Sequence, residues 1–212
     1  MTFVESRTAC RTLEPFVPGA PPAAAPRTRF HLHRRNDETR SDVERLIADV
    51  YRQHYAAQIE HFMPVLVSRG TDDDITAAAG YRSGVEPLFL ERYLAAPVEQ
   101  ALARVTGRPV ARESIVEIGQ FASRSAGEGR RLMLALARHL VDSGFCWAVI
   151  TATADLRRLI RHQGLSTLPL GTAQRHCVGD EAPLWGTYYR HAPKVLAGDL
   201  QANLVRLERG RR

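Results

Sequence analysis

Between Glu113 and Thr153 the pattern of apolar and polar positions changes four times. Ile115-Val116-Glu117-Ile118 is a short apolar run rich in β-branched residues, which predicts a buried strand. RSAGEG, Arg124 to Gly129, follows as a small glycine-containing loop. Leu132, Leu136 and Leu140 then recur at helical spacing, with Arg130, Arg131, Arg138 and Asp142 elsewhere around the helix and Ser143-Gly144 as its stop. A second apolar run, FCWAVITAT, closes the stretch. Strand, loop, helix and strand make a βαβ unit, whose crossover sets the two strands parallel and adjacent.

The flanking pattern fills in the fold. Phe30 and Leu32 alternate with His31 and His33, as in a half-exposed strand, and no third ligand at metal spacing joins the two histidines. Ser41 and Glu44 match a capping box before a helix with Val43, Leu46, Ile47, Val50, Tyr51 and His54 on its inner face. Pro64 to Val67 and Ile75 to Ala79 predict a hairpin across RGTDDD, where Asp72, Asp73 and Asp74 lack calcium-loop spacing and read as a solvated turn. Pro87 to Tyr93 begins a helix, and Pro97 starts another that leaves at Gly107. ADLRRLIRHQGL is amphipathic, with Leu156, Leu159 and Ile160 inside and Gly164 as its stop. Trp185 to Tyr189 reads as a strand and HAPKVLAGDL as a short helix. This order predicts an α/β (α+β) single domain, a mixed central sheet flanked by helices. The folded unit is expected at 28–205, after a disordered Pro/Ala-rich segment 1–27 and before a basic tail 206–212.

Composition narrows the function classes. A formal charge of +6 invites nucleic acid or an anionic membrane, but the basic residues are spread out and all but Lys194 are arginine. No patterned basic face or aromatic platform for nucleic acid appears. No stretch approaches a membrane-spanning length, and MTFVESRTACRTLEP lacks the apolar core of a signal peptide. Cys10, Cys146 and Cys177 form no spacing pattern, and Cys146 reads as a small buried residue in an apolar run. A cytoplasmic protein without a metal site is the expectation.

Chemistry concentrates at the glycine loop. Free N–H groups at a helix N-terminus attract anions. Gly127 and Gly129 let a phosphate approach the main chain, and Arg124, Arg130 and Arg131 supply paired donors for its oxygens.

RSAGEG resembles the Arg/Gln-x-x-Gly-x-Gly/Ala signature of GNAT acetyltransferases, where it receives the pyrophosphate of coenzyme A. LFLERYLAAPVE, IVEIGQFAS, WAVITATADLR and WGTYYRHAPKVLAGDL, between about 30 and 205, resemble the thermostable hemolysin family, whose members carry a GNAT-like fold. Gln120 stands where that family is expected to show Asn. IVEIGQF also resembles the strand of acyl-homoserine lactone synthases that turns a Glu, matched by Glu117, toward substrate.

These resemblances imply an acyltransferase using acetyl-CoA or another acyl-CoA, with an acyl carrier protein or S-adenosylmethionine as alternatives, and a small amine-type acceptor. Two diverging strands would leave a cleft for pantetheine, paired by the main chain of Phe121, Ala122 and Ser123. Arg124 and Gly127 to Arg131, Glu128 included, would hold the pyrophosphate. Glu117 or Glu113 would orient or deprotonate the amine, with Arg82 beside the substrate; the other reading of Glu117 is an ion pair with an arginine such as Arg82. Many GNAT enzymes protonate the leaving thiolate with a Tyr whose position here is Ile160, which leaves Tyr81 and His162 as polar candidates. A membrane-active hemolysin would need a strongly amphipathic apolar segment or barrel hairpins, and neither is apparent.

Overall fold

The computed structural model describes residues 28–71 and 74–209. The expected disordered segment 1–27, Asp72 and Asp73 of the acidic turn, and the end of the basic tail lie outside the described residues.

Seven strands form one mixed sheet: β1 (Arg29–His33), β2 (Val65–Gly70), β3 (Ile75–Ser83), β4 (Ile115–Ser123), β5 (Trp147–Ala152), β6 (Leu168–Thr172) and β7 (Lys194–Asp199). Their spatial order is β1-β2-β3-β4-β5-β7-β6. β4 and β5 pair in parallel, and the other neighbours are antiparallel. The βαβ unit is as the sequence predicts, β4 returning to β5 through α3 (Ala126–Asp142).

Each face of the sheet buries its own core. Helix α1 (Arg40–Tyr55) lays Val43, Leu46, Ile47 and Tyr51 on Leu66, Ala78 and Ala122. Beside it, α2 (Val98–Thr106) and a 3-10 segment, Phe89–Tyr93, cover Ile115, Trp147, Val149 and Val195. On the opposite face α3 seats Leu132, Leu136 and Leu140 on Val67, Ala79 and Val116. Helix α4 (Ala154–His162) adds Ile160 against Ala152 and Leu196 there. Helix α5 (Leu200–Arg209) packs Leu204 and Leu207 against α3.

Several expectations are corrected. Ser41 and Glu44 form no capping box: α1 begins at Arg40, and Glu44 accepts from the Arg40 Nε at 2.7 Å. That guanidinium also binds the carbonyls of His33, Pro64 and Met63, so an arginine ties the helix start to the sheet. His54 is exposed. In β1 the polarity is reversed, with Leu32 exposed and His33 buried between the hydroxyls of Thr39 and Ser68. Cys146 is exposed. Trp185 to Tyr189 is not a strand but part of two 3-10 stretches, Arg175–Trp185 and Tyr188–His191, broken at Gly186 with φ +50°. The KVLAGD segment, read as helical, is β7, and β6 arises from LPLGT, where no strand was expected. Residues 206–209 of the expected tail continue α5, with Leu207 buried.

Candidate active site

The site forms where β4 leaves β5. The two strands pair from Ile115↔Trp147 to Ile118↔Ile150 and no further, although β4 runs on to Ser123. The divergence coincides with a bulge. Gly80 pairs with Gly119 and Ala78 with Ala122, so three steps of β4 answer two of β3. The extra residue inverts side-chain alternation: Ile115 and Glu117 face the α1 side before it, and Ala122 faces that side after it. Gln120 sits in the bulge at φ +53°, a conformation that Asn tolerates better than Gln. Two hydrogen bonds offset the strain. Its Oε1 accepts from the Met63 N–H at 3.0 Å, and its Nε2 donates to the His61 carbonyl at 2.7 Å.

On the α1 side the divergence opens into a cavity of about 360 Å³. Tyr51, Phe89, Tyr93, Trp185 and Tyr188 form aromatic walls, and Glu117, Arg82 and Thr151 lie on the sheet behind them. Five of the six tyrosines gather around this spot in edge-on and stacked contacts. The hydroxyls of Tyr93 and Tyr189 are 2.7 Å apart, and the Tyr188 hydroxyl donates to the Thr151 carbonyl at 3.2 Å. Arg92, over the Phe89 ring, pairs with Glu181 at 2.8 Å on the outer wall.

Glu117 is 3% exposed. Its carboxylate accepts from the N–H groups of Phe89 and Leu90, both at 2.9 Å, and lies 3.5 Å from the Arg82 Nε. Burial raises its pKa above the ordinary value, and the two N–H donors and Arg82 pull the other way. Both oxygens therefore clamp the 3-10 segment Phe89–Tyr93 to the sheet. That segment's other anchor is Glu91, which meets the guanidinium of Arg112 at 2.6 and 2.9 Å and accepts from the Val98 N–H at 2.9 Å. The Arg112 bonds lead in holding the Glu91 carboxyl down at about 2.

Across the sheet, the helix begins inside the glycine motif. Ser125 caps α3 by accepting from the Glu128 N–H at 3.3 Å, and Gly127 and Gly129 belong to its first turn. The two glycines differ. A Cβ on Gly127 would meet nothing closer than the Ser125 Oγ at 3.9 Å, whereas one on Gly129 would lie 3.0 Å from the Ser123 Oγ. Gly129 lets helix and strand approach, and Gly127 faces open space. A groove of about 600 Å³ runs past Gly127 between α3, Arg69 of β2 and Leu207 of α5, rimmed by Arg69, Arg130, Arg131 and Arg138. Arg131 pairs with Glu128, and Arg138 with Glu208 at 3.0 Å. Arg124 pairs with Asp74, and Glu128 accepts from the Thr76 hydroxyl at 3.0 Å.

The residues singled out from the sequence therefore separate. Glu117 and Arg82 meet in the cavity. Tyr81 does not join them: it faces α3, where its hydroxyl lies 2.8 Å from the His139 Nε2. Glu113 is exposed on a 3-10 turn, Arg112–Ser114, before β4 and does not line the cavity. Phe121, Ala122 and Ser123 lie on the diverged part of β4, and Arg124 to Arg131 at the α3 start. Ile160 is buried among Ala152, Leu196 and Leu156, so no acid stands at the position where a tyrosine is expected in many GNAT enzymes. Sequence reading missed Tyr51, Phe89, Tyr93 and Arg92. They come from separate segments, and aromatic density was the one available signal.

The profile of the family described as thermostable hemolysin matches residues 33–204. No curated protein sequence matches the chain. Among solved structures, the acyl-homoserine lactone synthase LasI superposes with a TM-score of 0.59 at 14% identity, covering 85% of this chain and 95% of that one. The CoA-dependent acyl-homoserine lactone synthase BjaI, solved with S-adenosylmethionine and isopentyl-CoA, gives 0.58 at 16% identity, over 85% and 88%. An N-acetyltransferase of Lactobacillus plantarum, described as putative, gives 0.51 at 13% identity, over 82% and 98%. At such identities the likeness establishes a shared GNAT-like fold. Among the described residues no helix is long and apolar enough to cross a membrane.

Proposed function

This chain belongs to the thermostable hemolysin family, and from that premise we propose that it is an N-acyltransferase, moving an acyl group from a pantetheine thioester to a small amine. The observation that carries this reading is the bulged end of β4, which leaves β5 at Ile118 and opens beside an aromatic cavity. Support comes from LasI, BjaI and the N-acetyltransferase, whose names describe acyl transfer. The donor is read as acyl-CoA, with a carrier-protein thioester as its variant. Its arm lies along Gly119 to Ser123, roughly 13 Å of strand that lacks a β5 partner. Its phosphates meet the first turn of α3 at Gly127, with Arg130 and Arg131 alongside.

The acceptor amine enters from the aromatic side. An acceptor that arrives as an ammonium first gives one proton to solvent. Its neutral nitrogen then attacks the thioester carbonyl, a C–N bond forms, the C–S bond breaks, and the remaining proton shed by nitrogen passes to the departing thiolate to give a free thiol. A backbone N–H on the open edge of β4 faces the developing oxyanion. Glu117, fixed by two N–H groups and Arg82, orients the amine. Tyr81 and Glu113 have no part in this reading, because neither lines the cavity.

The test is calorimetric titration of acetyl-CoA and a long-chain acyl-CoA into wild type and Gly127→Asp, followed by thiol release with amine acceptors and with carrier-bound thioesters. Gly127 is the better position than Gly129, since aspartate there adds a negative charge without touching β4. Binding to wild type that Gly127→Asp weakens at least tenfold supports the reading. Absence of both binding and turnover across CoA and carrier donors overturns it. Release of methylthioadenosine from S-adenosylmethionine in the same assay would assign the synthase variant of the reaction.

A further inference from the structure

We propose, resting on the acyl-transfer reading, that the amine acceptor is a zwitterionic amino acid whose carboxylate is read by Arg82 inside the aromatic cavity. Charge inside the cavity comes as opposed pairs. On the outer wall Arg92 and Glu181 neutralise each other at 2.8 Å. Glu60 stands exposed at the rim. That leaves Arg82 and the buried Glu117 as one cation and one anion facing the same small space. The two meet only loosely, at 3.5 Å and without a hydrogen bond, so a ligand carrying only an amine, or only a carboxylate, would engage one of them at the expense of its partner. A molecule with an ammonium and a carboxylate on one carbon satisfies the pair.

The hydrogen bonds of Arg82 point the same way. Its Nη1 donates to the Pro87 carbonyl at 3.1 Å, which fixes the plane of the guanidinium. Its Nε is buried without a hydrogen-bond partner, 3.5 Å from the Glu117 Oε2. No hydrogen bond engages its Nη2 among the described residues. An arginine held by one bond, with donors left over, suits an incoming carboxylate. Glu117 spends one lone pair of each oxygen on Phe89 and Leu90 and keeps the others for an ammonium.

Size and lining fit the same ligand. A volume of about 360 Å³ is near the lower end for small-molecule sites, which favours a single amino acid over a peptide. Tyr51, Phe89, Trp185 and Tyr188 offer ring faces to an apolar or aromatic side chain and add cation–π attraction for the ammonium. Gly119 and Gln120 form the wall where β4 opens, so an amine bound here is next to the donor's path.

The experiment measures equilibrium binding of L-phenylalanine, its methyl ester, phenethylamine and 3-phenylpropionate to the full chain, without any thioester. L-leucine and L-methionine with their methyl esters form a second series. In each series the amino acid is expected to bind at least about tenfold tighter than the ester. Arg82→Gln should bring acid and ester within about threefold of each other, over and above any change common to both through Glu117, and Arg82→Lys should restore part of the difference. A purely structural role for Arg82 would weaken all ligands alike. Wild type that binds the esters or phenethylamine as tightly as the amino acids, or binds no amino acid of either series, overturns the proposal. Because no thioester is present, the result is read separately from donor binding: a protein that binds amino acids but never engages a thioester contradicts acyl transfer alone.

Discussion

The two cavities on either side of β4 are built on opposite principles. The aromatic one is held by directed bonds, most of them at least partly buried: Glu117 to Phe89 and Leu90, Gln120 to His61 and Met63, and Tyr93 to Tyr189. The arginine-rimmed one relies on exposed side chains paired with neighbouring acids, as in Arg131 with Glu128 and Arg138 with Glu208. Buried bonds fix a shape, because breaking one strands a polar group. Exposed ion pairs exchange at little expense and yield to an incoming anion or to salt. One side is built to discriminate, and the other to accept a long, charged ligand that supplies its own anchoring.

Removing Glu117 attacks this contrast most directly. Glu117→Ala should destabilise the fold by about 3 kcal/mol or more in urea unfolding, since it strands Arg82 and two N–H groups. A loss below about 1 kcal/mol would mean that the clamp on Phe89–Tyr93 is unimportant.

Arg112→Ala should lose about 2 kcal/mol at neutral pH by releasing Glu91. The sign with pH is set by the lowered carboxyl. Its contribution is present above the ordinary 4.5 and fades as pH falls toward about 2, so the gap between wild type and variant should close over that interval. Glu117 runs the other way. Its raised pKa favours the fold as pH falls from its folded value toward 4.5, and unfolding curves of the Arg112 variant sharpen the distinction.

Ile160→Tyr would place in a packed cluster the phenol expected of many GNAT enzymes and should lose about 1–3 kcal/mol without raising turnover. The smallest effects belong to the arginine side. Gly127→Asp and Arg138→Ala should each stay within about 0.5 kcal/mol of wild type in unfolding. For Arg138→Ala, donor affinity should fall and its dependence on salt should weaken.

Much of this architecture was legible from residue pattern. The β4-α3-β5 unit follows from a β-branched run, a helix with leucines at helical spacing and a glycine stop at Gly144. Helix α2 follows from Pro97 and Gly107 in the same way. The last third misleads because local preference and tertiary context disagree there. WGTYY carries strand-forming residues, yet Gly186 turns the chain back over the cavity. LAGD in β7 has weak strand preference but is a central strand, buried from Val195 to Gly198 between β5 and β6. The Glu117–Arg82 pair was readable as one of two alternatives, since adjacent strands bring Arg82 opposite Glu117. The cavity walls were not readable, because they converge from α1, three 3-10 stretches and β5, and no local period encodes such a meeting.

Gln120 also acts as a phase shifter. With it, the strand runs in one phase as far as Glu117 and in the opposite phase from Phe121 onward, so the phenyl ring and the Ser123 hydroxyl meet α3 while Ala122 fits beneath α1. Deleting this one residue would leave every neighbour on its present face, because Gly119, Phe121, Ala122 and Ser123 would then alternate regularly opposite Gly80, Ala79, Ala78 and Ala77. What would go is the bend of the bulge and the two bonds that the Gln120 side chain makes to the Met63 N–H and the His61 carbonyl. A single-residue gap at this point in a related chain would therefore keep the two faces of the strand and straighten it where β4 now parts from β5.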